Sequence, residues 1–225
     1  MTEAGTNIFE SHRKVQVIAK ETMRYLSTVI LPGVTEKEIR KLAETYMISR
    51  GIESFWYYDV GALVFAGERT RLSISGRDYI PSDQRVGCDD LVTVDLSPCM
   101  GTSWGDYARS FVIGDAHHDG IEFERYLHAY LTSNISPGMT FHDVFMRMNN
   151  EIERHGYVNL DFNGNLGHTI AENRMDRIYI EKNCKLKAGD AGLFTFEPHI
   201  GKESVQYGFK MENIYYFRNA CLVEL

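Results

Sequence analysis

A five-residue pattern occurs twice in this chain, and it constrains the architecture more than any other feature. Leu31-Pro32-Gly33-Val34-Thr35 matches Ser136-Pro137-Gly138-Met139-Thr140 at an offset of 105 residues, and the same offset carries Arg50-Gly51 onto His155-Gly156. An internal repeat means two copies of one structural unit. In each copy Thr stands where a helix N-cap belongs, with an acid three residues on (Glu38, Asp143), which is capping-box spacing. Apolar residues then recur at helical period, as Ile39, Leu42, Ala43, Tyr46 and Met47 and as Val144, Phe145, Met148 and Ile152, before a Gly that can end the helix. A longer helix precedes each copy. Its apolar stripe is Val15, Ile18, Ala19, Met23, Leu26 and Ile30 in the first half, and a poorer Ile121, Leu127, Tyr130 and Leu131 in the second. Strand-like segments follow at Leu91–Leu96 and Tyr107–Ile113, then at Gly192–Phe196 and Asn213–Phe217. The expected plan is two helix-helix-strand-strand halves, about 8–115 and 119–219, in an α/β (α+β) fold. No Pro/Ser-rich linker divides them, so one domain over 1–225 with a shared sheet and core is expected.

Composition sets the outer limits. With 44% hydrophobic, 24% charged and 12% aromatic residues, the chain has the profile of a folded domain. A net charge of -7 without a basic patch argues against a nucleic-acid partner. No apolar run approaches the ~20 residues that span a bilayer. Met1-Thr2-Glu3-Ala4-Gly5 lacks the basic-then-apolar plan of a secretory signal, so no membrane association and a cytoplasmic location are expected. Cys88, Cys99, Cys184 and Cys221 form no Cys-x-x-Cys pair and fit reduced thiols.

The repeat also aligns acids. In Leu91-Val92-Thr93-Val94-Asp95-Leu96, Asp95 points away from the face of Val92 and Val94. Asp95 and Asp106 lie equally far from a turn centred on Met100-Gly101 and are expected to oppose one another; Glu197 and Glu212 are likewise symmetric about a turn near Ser204. Asp95 maps onto Glu197 and Asp106 onto Glu212, at offsets of 102 and 106. Facing carboxylates repel and raise one another's pKa unless a cation neutralises them. Two divalent ions would balance four such acids. A single aspartate on a hairpin is more often solvated than ligating, and it is the set of four in register that carries weight. His168, in Asn163-Gly164-Asn165-Leu166-Gly167-His168-Thr169-Ile170, is a fifth candidate; a lone histidine among glycines is usually a loop residue, and its weight as a ligand comes from its company. Hard oxygens with one imidazole suit Mn, Co, Fe or Zn.

Taken together, these residues resemble the pita-bread metallopeptidases, namely methionine aminopeptidase, aminopeptidase P and prolidase, in their catalytic domain. The resemblance runs from Val15 to Glu212. It is sharpest at Val92-Thr93-Val94-Asp95-Leu96, Asp106-Tyr107-Ala108-Arg109-Ser110-Phe111-Val112-Ile113-Gly114, Gly167-His168, Thr195-Phe196-Glu197-Pro198 and Met211-Glu212-Asn213. It implies two pseudo-symmetric halves around a curved antiparallel sheet. It further implies Asp95 as terminal ligand on one metal, His168 and Glu197 as terminal ligands on the other, and Asp106 with Glu212 as bridges. The implied reaction is hydrolysis of an amide C–N bond by an acidified water, with Glu197 as proton acceptor. A small peptide or amide is the implied substrate, Xaa-Pro-like or a specialised metabolite, and a homodimer is compatible with the sequence.

Two departures bear on the substrate. The loop Gly76-Arg77-Asp78-Tyr79-Ile80-Pro81 and the stretch Ala171-Glu172-Asn173-Arg174-Met175-Asp176 carry no histidine, where the family places imidazoles beside the scissile bond. Asp78, His199 and Tyr207 are candidate substitutes, each with a competing structural role. Asp78 can either bind a cationic group on the substrate or simply cap a turn before Pro81. Two further readings remain: a creatinase-like hydrolase of a non-peptide C–N bond, and a non-catalytic pita-bread binding protein.

Overall fold

The computed structural model describes residues 3–115 and 117–225, with side chains described from residue 9 apart from residue 116. Met1 and Thr2, part of the stretch read above for a secretory signal, lie outside the described residues. Among the described residues no helix is long and apolar enough to cross a membrane. The described chain forms two compact units, residues 3–66 with 74–115 and residues 67–73 with 117–225.

The first unit contains α1 (Glu3–Val29), α2 (Glu36–Ser49), β1 (Ser54–Phe55), β2 (Ala62–Ala66), β3 (Asp90–Leu96), β4 (Pro98–Met100), β5 (Ser103–Trp104) and β6 (Tyr107–Ile113). The second contains α3 (Asp119–Asn134), α4 (Phe141–Arg154), β7 (Val158–Asn159), β8 (Phe194–Phe196), β9 (His199–Gly201), β10 (Gly208–Lys210), β11 (Asn213–Arg218) and β12 (Cys221–Glu224). The expected antiparallel sheet is hydrogen-bonded as four three-stranded pieces, β2-β3-β6 and β1-β4-β5 in the first unit, β12-β11-β8 and β10-β9-β7 in the second.

Both capping boxes form. Thr35 accepts from the Glu38 N–H and Thr140 from the Asp143 N–H, while the two acids accept the cap residues' own N–H groups. Gly51 and Gly156, at φ of 97° and 75°, follow the last helical turn in the left-handed conformation that ends each copy. The expected stripe is buried through Val15, Ala19, Met23 and Leu26 of α1 and Ile30 just beyond it, with Ile18 half-buried, and it packs with Ile39, Ala43 and Met47 of α2 against Val92, Val94 and Leu96 of β3. In α3 the expectation was too narrow. Phe123 is buried beside Leu127 and Leu131, whereas Ile121 and Tyr130 remain half-exposed, because Phe123 stacks on Tyr157 at a ring-centroid distance of 4.4 Å.

Strand β3 is covered on both faces, which its alternating sequence did not suggest. The face opposite the helices carries a second cluster of Val60, Leu63, Phe65 and Tyr79, and Leu63 is the cross-strand partner of Asp95. The outer edge of β2 is closed by side chains in place of a further strand. The Val64 N–H donates to the Tyr79 hydroxyl at 3.0 Å and the Ala66 N–H to Glu36 Oε1 at 2.9 Å, so buried backbone donors there are satisfied.

Candidate functional site

In the first unit both candidate aspartates come from one hairpin. Asp95 pairs with Ala108 across β3–β6, and the same register continues through β4–β5 with Cys99 opposite Trp104 and Met100 opposite Ser103. The hairpin therefore turns at Gly101-Thr102, one residue beyond the expected Met100-Gly101, with Gly101 opening the two-residue loop at a φ of 58°. This corrects the expectation that Asp95 and Asp106 oppose one another directly, since Asp106 precedes the partner of Asp95 by two residues. A slip of two keeps a side chain on its face. Asp95, Ala108 and Asp106 thus project from one side, with the acids as diagonal neighbours about 7–8 Å apart instead of about 5 Å.

Asp106 is held from outside the sheet. The Gln16 Nε2–H donates to the Asp106 carbonyl at 2.8 Å and Gln16 Oε1 accepts the Asp106 N–H at 3.0 Å, so a primary amide serves as the missing strand partner. Gln16 is 1% exposed. Sequence reasoning passed over it, although a signal existed: position 16 continues the buried stripe of Ala19 and Met23 by helical spacing, and a polar residue there needs a partner.

In the second unit the β8–β11 ladder, with Phe196 opposite Asn213, and the β9–β10 ladder, with His199 opposite Lys210, share a single register. Glu197 and Glu212 fall opposite each other between them, as their symmetry about Ser204 predicts. Glu212 is fully buried, and the Glu197 side chain is 18% exposed.

His168 lies on a segment running antiparallel beside β8, where its carbonyl accepts the Thr195 N–H at 2.7 Å and its own N–H donates to Thr195 Oγ1 at 3.1 Å. Gly167 makes this approach possible. At its φ of 143° a Cβ would sit 2.2 Å from the Thr195 carbonyl oxygen, so no other residue fits. The segment's register beside β8 sets His168 opposite Thr195, and the repeat counterpart of Thr195 is Thr93, whose cross-strand partner is Phe65. A ligand-type residue thus stands in one half where the other half has a phenylalanine, which is why the candidates number five and not an even count.

The protonation of His168 is fixed by its neighbours. Nδ1 lies 3.1 Å from the Thr169 carbonyl, which can only accept, so Nδ1 carries the proton. Nε2 keeps its lone pair and is 3.6 Å from Glu197 Oε1. Burial, then the Arg177 charge, pushes the imidazole pKa down to about 3. The ring is therefore neutral near pH 7 and competent as a ligand. An imidazole lone pair facing a carboxylate oxygen calls for a positive charge between or beside them, and a divalent ion fits that need. Cations of the chain also approach: Arg177 Nη1 is 3.4 Å from His168 Nε2, and Lys210 Nζ is 3.3 Å from Glu197 Oε2.

The three candidate substrate residues are placed differently. Asp78 is exposed on a turn, its N–H donating to the Ser75 carbonyl at 2.9 Å. His199 is buried in β9, with Nε2 donating to the Thr70 carbonyl at 2.7 Å. Tyr207 is half-buried against His118, with ring centroids 4.9 Å apart in a T-shaped contact.

This arrangement of strands and helices is found in known enzymes. The chain superimposes on prolidase from Pyrococcus furiosus with a TM-score of 0.83 at 21% identity, covering 99% of this chain and 64% of that one. It superimposes on methionine aminopeptidase from Rickettsia prowazekii with a TM-score of 0.77 at 16% identity, covering 100% of this chain and 97% of that one. The fold is thus the pita-bread fold. In sequence, methionine aminopeptidase 1D, mitochondrial, from Dictyostelium discoideum is 28% identical over 110 residues, 47% of this chain and 26% of that protein. The chain thus spans about a quarter of that curated relative and under two thirds of the prolidase. Residues 10–219 match metallopeptidase family M24, and the chain belongs to that family.

Proposed function

We propose that this chain is a metal-dependent hydrolase of amide C–N bonds, acting on a small Xaa-Pro-like peptide or a related amide, with Asp95, Asp106, His168, Glu197 and Glu212 as ligands to two divalent ions such as Mn, Co, Fe or Zn. The observation that carries the reading is His168: a buried, neutral imidazole whose Nδ1 is committed to a carbonyl and whose Nε2 lies 3.6 Å from Glu197 Oε1, inside a stretch that matches a metallopeptidase family. Bound ions would supply an acidified water and polarise the scissile carbonyl. Glu197 takes a proton from the attacking water and passes it to the leaving amine. His168 stays neutral throughout, because its buried ring resists protonation. The four free cysteines suit a reducing compartment such as the cytoplasm, and the 225 residues are proposed to act as a single domain. Asp78 is proposed as the partner of a cationic group on the substrate.

A second substrate class is favoured by sequence: with no histidine in residues 76–81 or 171–176, a non-peptide C–N bond is the alternative target. Protein loaded with Mn2+ or Co2+ and assayed against Xaa-Pro dipeptides, Xaa-Pro-initiated tripeptides and small non-peptide amides distinguishes the two. Amine release that a chelator abolishes is expected from one group. Protein with two bound ions that turns over none of them is no hydrolase of this kind.

A further inference from the structure

A cationic side chain lies beside Nε2 of His168, the nitrogen proposed above to bind a metal ion. The Arg177 Nη1–H points at His168 Nε2 from 3.4 Å, and a guanidinium can only donate, so Nε2 is the acceptor of this contact. The guanidinium is itself positioned. Its Nε–H donates to the Arg174 carbonyl at 2.7 Å, and its carbon lies 5.5 Å from the centroid of the Tyr179 ring. Tyr179 is also the β-bridge partner of His168 and packs edge-on against the imidazole at 5.8 Å. Arg177 and His168 are therefore tied to the same short ladder, two residues from its bridge on one side and at the bridge on the other.

A divalent ion bound to an imidazole nitrogen sits about 2.0–2.1 Å from it along the lone pair. A guanidinium nitrogen 3.4 Å from Nε2 stands beside the position such an ion would take, and Coulomb repulsion sets the two cations against each other. Binding of the ion therefore favours withdrawal of the guanidinium.

We propose that Arg177 is an internal competitor for the metal-binding nitrogen of His168, so that an ion reaches His168 only when the Arg177 side chain swings away. The proposal rests on His168 being a metal ligand, as argued above. In the ion's absence a guanidinium stands beside His168 and an ammonium beside Glu197. In its presence the displaced charge must be re-solvated. The consequence is an elevated loading threshold at His168, higher for ions with weak imidazole affinity such as Mn2+ than for Co2+ or Zn2+. Nothing in the sequence motif announces this, since Arg177 lies nine residues from His168, outside the Gly167-His168 pair.

The test is a titration of the full chain, stripped with chelator and desalted, with CoCl2. Binding is followed by calorimetry and by the visible absorption of bound Co2+, neither of which requires turnover. Arg177→Met is expected to bind Co2+ on the order of tenfold more tightly than wild type, the worth of one charge-assisted hydrogen bond to be broken. Arg177→Gln, too short to reach Nε2, should behave the same way and guards against a folding defect in one variant, with circular dichroism in chelator as the check on both. Removing a positive charge raises cation affinity by itself, and a His168→Gln background controls for that field effect. There the Arg177→Met gain should vanish, because there is no nitrogen left to contest. Equal affinities for wild type and both Arg177 variants, or a gain that survives His168→Gln, each overturn the competition while leaving the ligand set standing. Absence of Co2+ binding in wild type and every variant overturns the competition and the metal reading together.

Discussion

Gln16 and Asp106, ninety residues apart, are joined by a two-way hydrogen-bonded pair in which the side-chain amide of one reads the backbone of the other as a neighbouring strand would. Asp106 stands just before the first residue of β6, where the ladder to β3 has ended, and Gln16 gives its peptide N–H and carbonyl the partners that a strand would. Gln16→Met keeps the volume and removes both bonds. Two buried backbone groups left without partners cost about 1–3 kcal/mol each, and a loss on the order of 2 kcal/mol or more is expected in urea denaturation of metal-free protein. A change below about 0.5 kcal/mol would mean that water or a shifted backbone meets those groups equally well.

Glu212 is a fully buried carboxylate facing a second acid. Glu212→Gln and Asp106→Asn keep the shape and remove a charge whose burial is costly. In chelator both variants should melt at or above the wild-type temperature. With Mn2+ or Co2+ added, wild type should gain stability by mass action while the variants gain little and lose hydrolysis. Melting below wild type in chelator would identify the carboxylate concerned as a structural hydrogen-bond acceptor within its own unit.

The buried imidazole predicts a specific pH dependence. His168 has a folded pKa of about 3 against an ordinary 6.5, so below pH 6.5 the unfolded chain takes up a proton that the folded chain refuses. Stability from this group is complete above pH 6.5 and falls as the pH drops toward 3. His168→Gln removes the effect. The difference in urea midpoint between wild type and variant, measured on metal-free protein, should therefore shrink or reverse in favour of the variant on going from pH 7 to pH 4. A constant difference would place the imidazole in water.

Gly167→Ala tests the close approach beside β8. A Cβ 2.2 Å from a backbone oxygen, on a residue whose φ is 143°, cannot be relieved by a side-chain rotation. The variant should lose more than about 2 kcal/mol, with the amides of His168 and Thr195 losing hydrogen-exchange protection first. Retention of wild-type protection at both amides would show that the strand segment can move aside.

The N-caps offer a local check. Thr140 hydrogen bonds, from the side chain first and the backbone second, hold the Asp143 carboxyl below its usual pKa. Thr140→Ala should cost about 1 kcal/mol and let the Asp143 resonance titrate at higher pH by NMR. An unshifted titration would assign the lowering to the helix terminus alone.

The sequence by itself determined the repeat, the two capped helices and the strands that follow them, because caps, helical periodicity and alternation are local and survive without knowledge of the partner. It also placed Glu197 opposite Glu212, since an unbroken hairpin register depends only on where the chain turns. For Asp95 and Asp106 the same reasoning missed by one residue in the turn, because Gly101-Thr102 and Met100-Gly101 can each hold a turn and only the strand register of the folded hairpin distinguishes them. Only the tertiary structure decided what lies around the candidates. Gln16 on Asp106, the Thr169 carbonyl that sets the His168 tautomer, and Arg177 and Lys210 against His168 and Glu197 are contacts whose partners no local pattern specifies. Residue type tells which atoms can bind a metal; burial and neighbours decide which of them hold a lone pair, a proton or a competing charge.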